Sequence, residues 1–237
     1  MSLAVNNLIG FGARQPETAA FAPTDIANLA AWYRADLGVT ESGGNVTAWA
    51  DQSGNSRNLS GGSPDLEATG GPNSTPTISF VAANSDKLTN TFSGLSHPLH
   101  LFAVMRAITT SGVNGLLCGN ATSQRFHDTQ SPSPLVYFSG TILQPGVGWS
   151  DDSAHHLWEY KIDGTNTTVI RGATTMIGSG TSPGTTALAG FTLGQLPGLG
   201  YGSMKLAELL LYNAVISGTD LTNLRAYIAS RYGITTS

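Results

Sequence analysis

The stretch of chain from Arg125 to Tyr160 is rich in aromatic rings interleaved with charged and hydrogen-bonding side chains. Aromatic faces pack against the C–H surfaces of sugar rings, while guanidinium, carboxylate and imidazole groups pair with hydroxyls. This combination favours carbohydrate recognition. The candidate binding residues are Arg125, Phe126, His127, Tyr137, Trp149, Asp151, Trp158 and Tyr160.

Two alternatives stay open for these rings. Strand alternation over the segment after Ala154 places Trp158, Tyr160 and Ile162 on one face, and the presence of Ile162 there is equally typical of a core face. Trp149 stands in the turn-like stretch GVGWSDD, where loops commonly carry binding groups. The alternative for Trp149 is a ring that closes one end of the fold.

A second chemical candidate is the short segment DQSGN. Asp51, Ser53 and Asn55 alternate oxygen-bearing side chains around Gly54, which suits a hard cation such as Ca²⁺. The same side chains serve equally well to hydrogen-bond the backbone of their own turn. The sequence therefore predicts a protein that requires no cofactor, with Ca²⁺ binding at Asp51 and Asn55 as an alternative to a purely structural turn.

Motifs for catalysis are missing. Asp151 and Asp152 are adjacent, so on a strand they would point to opposite faces rather than form a catalytic pair. No Gly-x-Ser-x-Gly segment is present, and Cys118 is best explained as a small buried strand residue. The sequence thus predicts a protein that is not an enzyme. The glutamates are isolated from one another, at Glu17, Glu41, Glu67, Glu159 and Glu208.

Composition restricts the classes of partner. The chain has 237 residues, 11% charged residues and a formal net charge of −4, so a phosphate-neutralising surface for nucleic acid is not expected. No apolar run approaches the roughly 20 residues of a membrane helix. The first residues lack the basic region of a secretory signal peptide, which predicts synthesis in the cytoplasm without export by the general route.

The pattern of elements is that of an all-β chain. A short helical turn with Thr24 as its N-cap is expected first, and residues 1–23 are interpreted as an arm or linker. Asp163-Gly164 predicts a hairpin over Trp158 to Arg171. A C-terminal helix is predicted between the N-cap Ser217 and the stop Gly233. Strands are predicted at residues 46–50, 77–81, 87–92, 99–108, 115–118, 135–138, 155–162, 167–171, 190–196 and 204–213.

The segments LAAWYRADLGV, VTAWADQSGNSRNL and MKLAELLLYNAVISGTDLTNLRAYIASRYGI resemble the laminin-G-like, concanavalin A-like jelly-roll domains of bacterial surface and phage proteins. The resemblance covers residues 24–237. It implies a two-sheet antiparallel jelly-roll sandwich that commonly binds glycans on a concave face or at rim loops.

The opening MSLAVNNLIGFGA is similar to the start of tailed-phage and phage-like-particle structural proteins. Together the two resemblances imply a non-enzymatic, carbohydrate-binding virion surface protein that recognises host cell-surface polysaccharide. Residues 1–23 would then attach it to other virion proteins, with the number of copies in the assembly left open. The alternatives are a purely structural capsid decoration, spike or tail component, and a polysaccharide hydrolase or lyase.

Overall fold

The computed structural model describes residues 21–109, 112–129, 135–145 and 150–236. Within these ranges the fold is mostly β, with one C-terminal α-helix, α1 (Gly218–Tyr232). The strands are β1 (Leu29–Arg34), β2 (Val39–Ser42), β3 (Asn45–Trp49), β4 (Leu59–Ser60), β5 (Asp65–Glu67), β6 (Thr77–Phe80), β7 (Leu88–Thr89), β8 (Leu99–Ala107), β9 (Asn114–Cys118), β10 (Arg125–Asp128), β11 (Leu135–Tyr137), β12 (His156–Ile162), β13 (Thr168–Arg171), β14 (Thr174–Ile177), β15 (Thr192–Leu193), β16 (Gly200–Tyr201) and β17 (Met204–Tyr212). Short 3₁₀ turns lie at Pro23–Asp25, Pro72–Ser74, Ala82–Asn84 and Gly164–Asn166.

The longest strands form one antiparallel ladder in the order β1, β17, β8, β12, β13, β14. Its register is fixed at the centre by a row in which Trp32 pairs with Leu210, Leu210 with Phe102, and Phe102 with Glu159. The first part of β17 also pairs with β6. This ladder carries the side chains that face α1.

The shorter strands form a second run of pairings in the order β2, β3, β4, β7, β15, β9, β10, β11. Strand β5 joins β3 to β6 and so links the two runs into one hydrogen-bonded sheet. These ladders are antiparallel, whereas β16 pairs with β9 in parallel. The all-β, antiparallel class predicted from the sequence is confirmed, and the two-sheet jelly roll stays a prediction.

The central strands are buried on both faces. On β8, Leu101 and Met105 belong to the larger hydrophobic cluster, while Phe102 and Val104 belong to a smaller one beneath α1. Successive strand residues point to opposite faces, so β8 needs apolar side chains at both kinds of position. The near-continuous apolar sequence of β8 follows from this double coverage.

Helix α1 begins after Ser217 and ends at Gly233, which adopts the left-handed φ of +62° expected of a C-cap. An ion pair anchors it to the sheet, because Arg225 donates to Oε2 of Glu159 on β12 at 2.7 and 3.2 Å. His100 lies 3.1 Å from the other oxygen. Burial would raise the pKa of Glu159, but the hydrogen bonds and charges of His100 and Arg225 hold it below its usual range.

The hairpin predicted at Asp163-Gly164 is confirmed, with Trp158 opposite Arg171. The N-terminal helical turn is predicted to run from Thr24 to Ala31 but covers only Pro23–Asp25, and its N-cap is Ala22 instead of Thr24. Asn28 has a φ of +65° before β1 begins. Pairing of β1 with β17 overrides the local helical preference.

No helix in the described part of the chain is long and apolar enough to cross a membrane.

The end of the expected arm packs on the folded domain. Tyr212 donates a hydrogen bond of 3.1 Å to the carbonyl of Pro23, and Phe21 packs against the cluster beneath α1. Residues 21–23 therefore contact the same core as the rest of the domain. The expected attachment role of the arm lies mostly on residues 1–20, outside the described residues.

Candidate functional site

Four of the residues predicted to contact a sugar lie in the protein core: Phe126, His127, Trp158 and Tyr160, each at most 1% exposed. The parallel rings of Trp158 and Tyr160 stand 6.3 Å apart, and Nδ1 of His127 lies 2.6 Å from the hydroxyl of Tyr160. Burial lowers the pKa of His127 to about 3, with a further contribution from the charge of Arg171.

The expectation that these four side chains meet a ligand is therefore corrected. Strand alternation does place Trp158, Tyr160 and Ile162 on one face, as predicted, but that face belongs to the larger hydrophobic cluster. The rings of Phe126, Trp158 and Tyr160 pack against other apolar side chains in this cluster and do not line the surface.

Two other predicted residues stay near the surface. Arg125 and Tyr137 are cross-strand partners on β10 and β11, and the guanidinium of Arg125 stands 5.5 Å from the centre of the Tyr137 ring. The same guanidinium pairs with Asp128 at 2.8 Å. A sugar-binding role for Arg125 and Tyr137 stays a prediction, and Trp149 lies outside the described residues.

Asp151 is engaged by a neighbouring side chain. Arg106 binds both of its oxygens, at 2.9 and 2.6 Å, and the backbone N–H of Ser153 donates to it at 2.9 Å. The hydrogen bond from Arg106 is the main reason that the pKa of Asp151 is below its usual range. A role for Asp151 in contacting sugar stays a prediction.

The predicted calcium ligands Asp51 and Asn55 lie in one turn, and both side chains already make hydrogen bonds to the backbone. Asp51 accepts from the backbone of Trp32, Ser53 and Arg57 at 2.9 to 3.0 Å. Asn55 donates from Nδ2 to the carbonyl of Leu29 at 3.0 Å. Among the described residues, no three of His, Cys, Asp and Glu gather into a metal-binding group. Both side chains join the turn to β1, and calcium binding stays a prediction.

A groove that sequence reasoning missed lies along the outer side of α1. We call it the helix groove; it has a volume of about 480 Å³, within the range of roughly 300 to 1,000 Å³ typical of small-molecule sites. It combines two aromatic rings with amide, hydroxyl and guanidinium groups. Its lining residues are Phe21, Thr75, Asn223, Ala226, Tyr227, Ser230 and Arg231.

The helix supplies one wall through positions three and four residues apart. Asn223, Ala226 and Ser230 are exposed, and the small side chain of Ala226 leaves the space between its neighbours free. Across the groove, the ring of Phe21 stands 6.1 Å from that of Tyr227, at an angle of 59°. The two half-buried rings form an apolar wedge beside hydrogen-bonding groups.

Hydrogen bonds to a buried carboxylate and ion pairs nearer the surface hold the walls of the helix groove in place. The hydroxyl of Tyr227 donates to Oε1 of Glu208 at 3.0 Å, and Trp32 donates to the same oxygen at 2.6 Å. Arg231 pairs with Asp36 at 2.5 Å, and Asp36 pairs with Arg34 at 2.7 Å. A preorganised ring and guanidinium lose less freedom on binding, which favours affinity.

The groups that line the helix groove are suited to binding a ligand by ring stacking and hydrogen bonds. Its lining residues include a guanidinium, an amide and hydroxyls, which match the hydroxyls of a saccharide. One signal for it is present in the sequence: Asn223, Ala226 and Ser230 recur at spacings of three and four and form a stripe of small and polar side chains on α1. The partners Phe21 and Thr75 come from distant parts of the chain, so only folding brings them to the stripe.

No protein-family model and no curated protein matches the chain. Solved structures do match its fold. Trypanosoma rangeli sialidase matches with a TM-score of 0.58 at 12% identity, covering 87% of this chain and 33% of the sialidase. Domain 4 of AbnA, a GH43 extracellular arabinanase from Geobacillus stearothermophilus in complex with arabinotriose, matches with a TM-score of 0.55 at 13% identity. That match covers 83% of this chain and 98% of the domain.

A GH54 arabinofuranosidase also matches, with a TM-score of 0.52 at 14% identity over 81% of this chain and 52% of that one. The chain thus spans 33% of the length of the sialidase chains it matches. At these identities the likeness concerns the fold.

These matches correct two predictions. The expected non-enzymatic virion protein is overturned, because the matched structures named above are glycosidases or a glycosidase domain. The prediction that the protein is not an enzyme is contradicted by the same matches. The motifs behind the resemblance consist largely of packing residues such as Tyr33, Trp49 and Tyr212, all fully buried, and packing residues specify fold better than activity.

Proposed function

We propose that this chain is a saccharide-binding domain of a carbohydrate-active enzyme and that the sugar binds in the helix groove. The observation that carries the proposal is the wedge of Phe21 and Tyr227 beside Asn223, Ser230 and Arg231. A sugar ring presents an apolar C–H face and a rim of hydroxyls. The wedge offers surfaces that complement both.

The comparisons support the class of ligand. A solved arabinanase domain of almost the same extent is in complex with arabinotriose, and a sialidase of which 33% matches this chain is in complex with sialic acid. We also propose that the two runs of strands are the two layers of a concanavalin A-like jelly roll. The larger hydrophobic cluster, which draws side chains from both runs, supports this arrangement.

The experiment is a binding titration of the whole chain by calorimetry and by NMR, with arabinotriose, sialic acid and a glycan array as probes. The variant Ala226→Leu fills the groove at an exposed helix position with a good helix former. Its matched control is Thr222→Leu, which is exposed on the same helix and lines no groove described here.

We expect saccharide binding with amide shifts on α1, a loss of about tenfold or more in affinity for Ala226→Leu, and native affinity for Thr222→Leu. Absence of binding to every probe would overturn the proposal. So would binding that Ala226→Leu leaves intact. Release of reducing sugar is measured in the same samples, so that turnover of a bound saccharide is detected directly.

A further inference from the structure

A second groove lies at the end of α1, and we call it the histidine groove. It has a volume of about 470 Å³. Its walls come from the segment before β12, the 3₁₀ turn before β6 and the residues around the helix end. The lining residues are Pro72, Asn73, Ser153, Ala154, His155, His156, Tyr232, Gly233, Ile234 and Thr235.

The two grooves adjoin each other. Residues Asn73 and Thr75 of one short turn line the histidine groove and the helix groove respectively. Likewise Arg231 lines the helix groove and its neighbour Tyr232 lines the histidine groove. A hydrogen bond of 3.2 Å from Nδ2 of Asn73 to the carbonyl of Arg231 lies at this boundary. The two grooves are therefore neighbours.

Hydrogen-bonding and apolar residues line the histidine groove together, and one of its two imidazoles is paired with a carboxylate. His156 lies 2.9 Å from Asp152, which Arg171 also binds at 2.7 Å. Nε2 of His155 is buried, and no group in the described residues hydrogen-bonds to it. A buried polar atom of this kind lacks the hydrogen bond that buried polar groups usually make.

His155 is neutral near pH 7. Burial is the main cause that lowers its pKa to about 4; the charges of Lys205, Arg106 and His156 add to the effect, and Glu67 opposes it. A neutral imidazole beside the hydroxyl groups of Ser153 and Thr235 matches uncharged hydroxyls better than it matches a fixed ion.

We infer that the histidine groove is a second saccharide subsite continuous with the helix groove, so that the ligand is an oligosaccharide lying across the end of α1. The hydrogen bond between Asn73 and Arg231 lies at the boundary between the two subsites. This inference rests on the proposed function. The inference extends the proposed function by stating that the ligand is longer than one groove and that its second part lies in the histidine groove.

The test is a size series of arabino-oligosaccharides, from disaccharide to hexasaccharide, together with matching gluco- and xylo-oligosaccharides, titrated into the whole chain. Ala154→Leu narrows the histidine groove at an exposed position, and Ala121→Leu is its matched control on an exposed turn that lines neither groove. NMR follows the His155 and His156 ring signals as a second measurement.

We expect the affinity of the native chain to rise by about tenfold or more with ligand length. Ala154→Leu removes that rise and keeps the affinity for the shortest ligand, whereas Ala121→Leu changes neither. Binding that is independent of length, or a rise that Ala154→Leu leaves intact, overturns the second subsite while the proposed function stands. If no saccharide binds, both proposals fail.

Discussion

The hydroxyl of Tyr227 on α1 donates a hydrogen bond of 3.0 Å to Oε1 of Glu208, whose side chain on β17 is completely buried. The bond connects a ring at the surface to the centre of the sheet. Trp32 donates to the same oxygen at 2.6 Å, so one carboxyl group holds two aromatic side chains. The orientation of the groove wall thus depends on a buried acid.

The ring and the hydroxyl of Tyr227 have separable roles. We expect Tyr227→Ala to reduce saccharide affinity by about tenfold, because the stacking face is lost. Tyr227→Phe keeps the face and loses two hydrogen bonds, the one donated to Glu208 and a longer one accepted from Arg34, so it lowers the free energy of unfolding by about 1 to 2 kcal/mol with little change in affinity. Calorimetric titration and urea unfolding measure the two quantities. Equal affinities for the Ala and Phe variants would contradict a stacking role.

Glu208 makes stability depend on pH. Burial raises its pKa, against the opposing hydrogen bonds from Tyr232, Trp32 and Tyr227, so the folded chain holds this proton more tightly than the unfolded chain. Its favourable contribution is complete below the unfolded pKa and is lost as the pH rises through the folded pKa.

We therefore expect Glu208→Gln to gain stability relative to the native chain as the pH rises from about 4 to about 8. Urea unfolding at a series of pH values gives the difference directly. Asp163→Asn is the control, since this carboxyl lies in the turn between β12 and β13 and not in the core. A difference for Glu208→Gln that is constant across the range would show that Glu208 is not a buried acid with a raised pKa.

Trp158 tests the core assignment against the sugar-contact prediction. Because this ring is 1% exposed, we expect Trp158→Ala to lower the free energy of unfolding by about 3 to 5 kcal/mol. Trp158→Phe should cost less and fold, which permits a titration. Native saccharide affinity in the folded Trp158→Phe chain is the expected result. A loss of saccharide affinity in Trp158→Phe without a loss of stability would contradict the core assignment and support a sugar contact for Trp158.

Asp51 tests the turn against the calcium prediction. Asp51→Ala leaves the backbone N–H groups of Trp32, Ser53 and Arg57 without their acceptor, so we expect a loss of about 1 to 3 kcal/mol in unfolding free energy. The melting temperature should be the same in Ca²⁺ and in a chelator, because the Asp51 oxygens already accept these bonds. A rise in Tm with Ca²⁺ that Asp51→Ala abolishes would instead establish a cation site.

Several elements could be predicted because their signals are local. The hairpin at Asp163-Gly164 and the helix ending at Gly233 depend on backbone conformations that glycine adopts readily. The face carrying Trp158 and Tyr160 also follows from alternation. Which side of that strand is buried does not, because β8 and β12 are covered on both faces and apolar residues occupy both.

By itself the sequence determined an all-β chain with a C-terminal helix, because strand alternation, turn residues and helix caps act over a few neighbouring positions. The antiparallel arrangement was implied by the resemblance. Tertiary structure alone decided which rings are accessible. Burial of Trp158 and exposure of the stripe beside Tyr227 depend on what packs against each, and those partners come from far along the chain. The helix groove exists because α1 covers one face of the sheet and presents its outer stripe to Phe21 and Thr75.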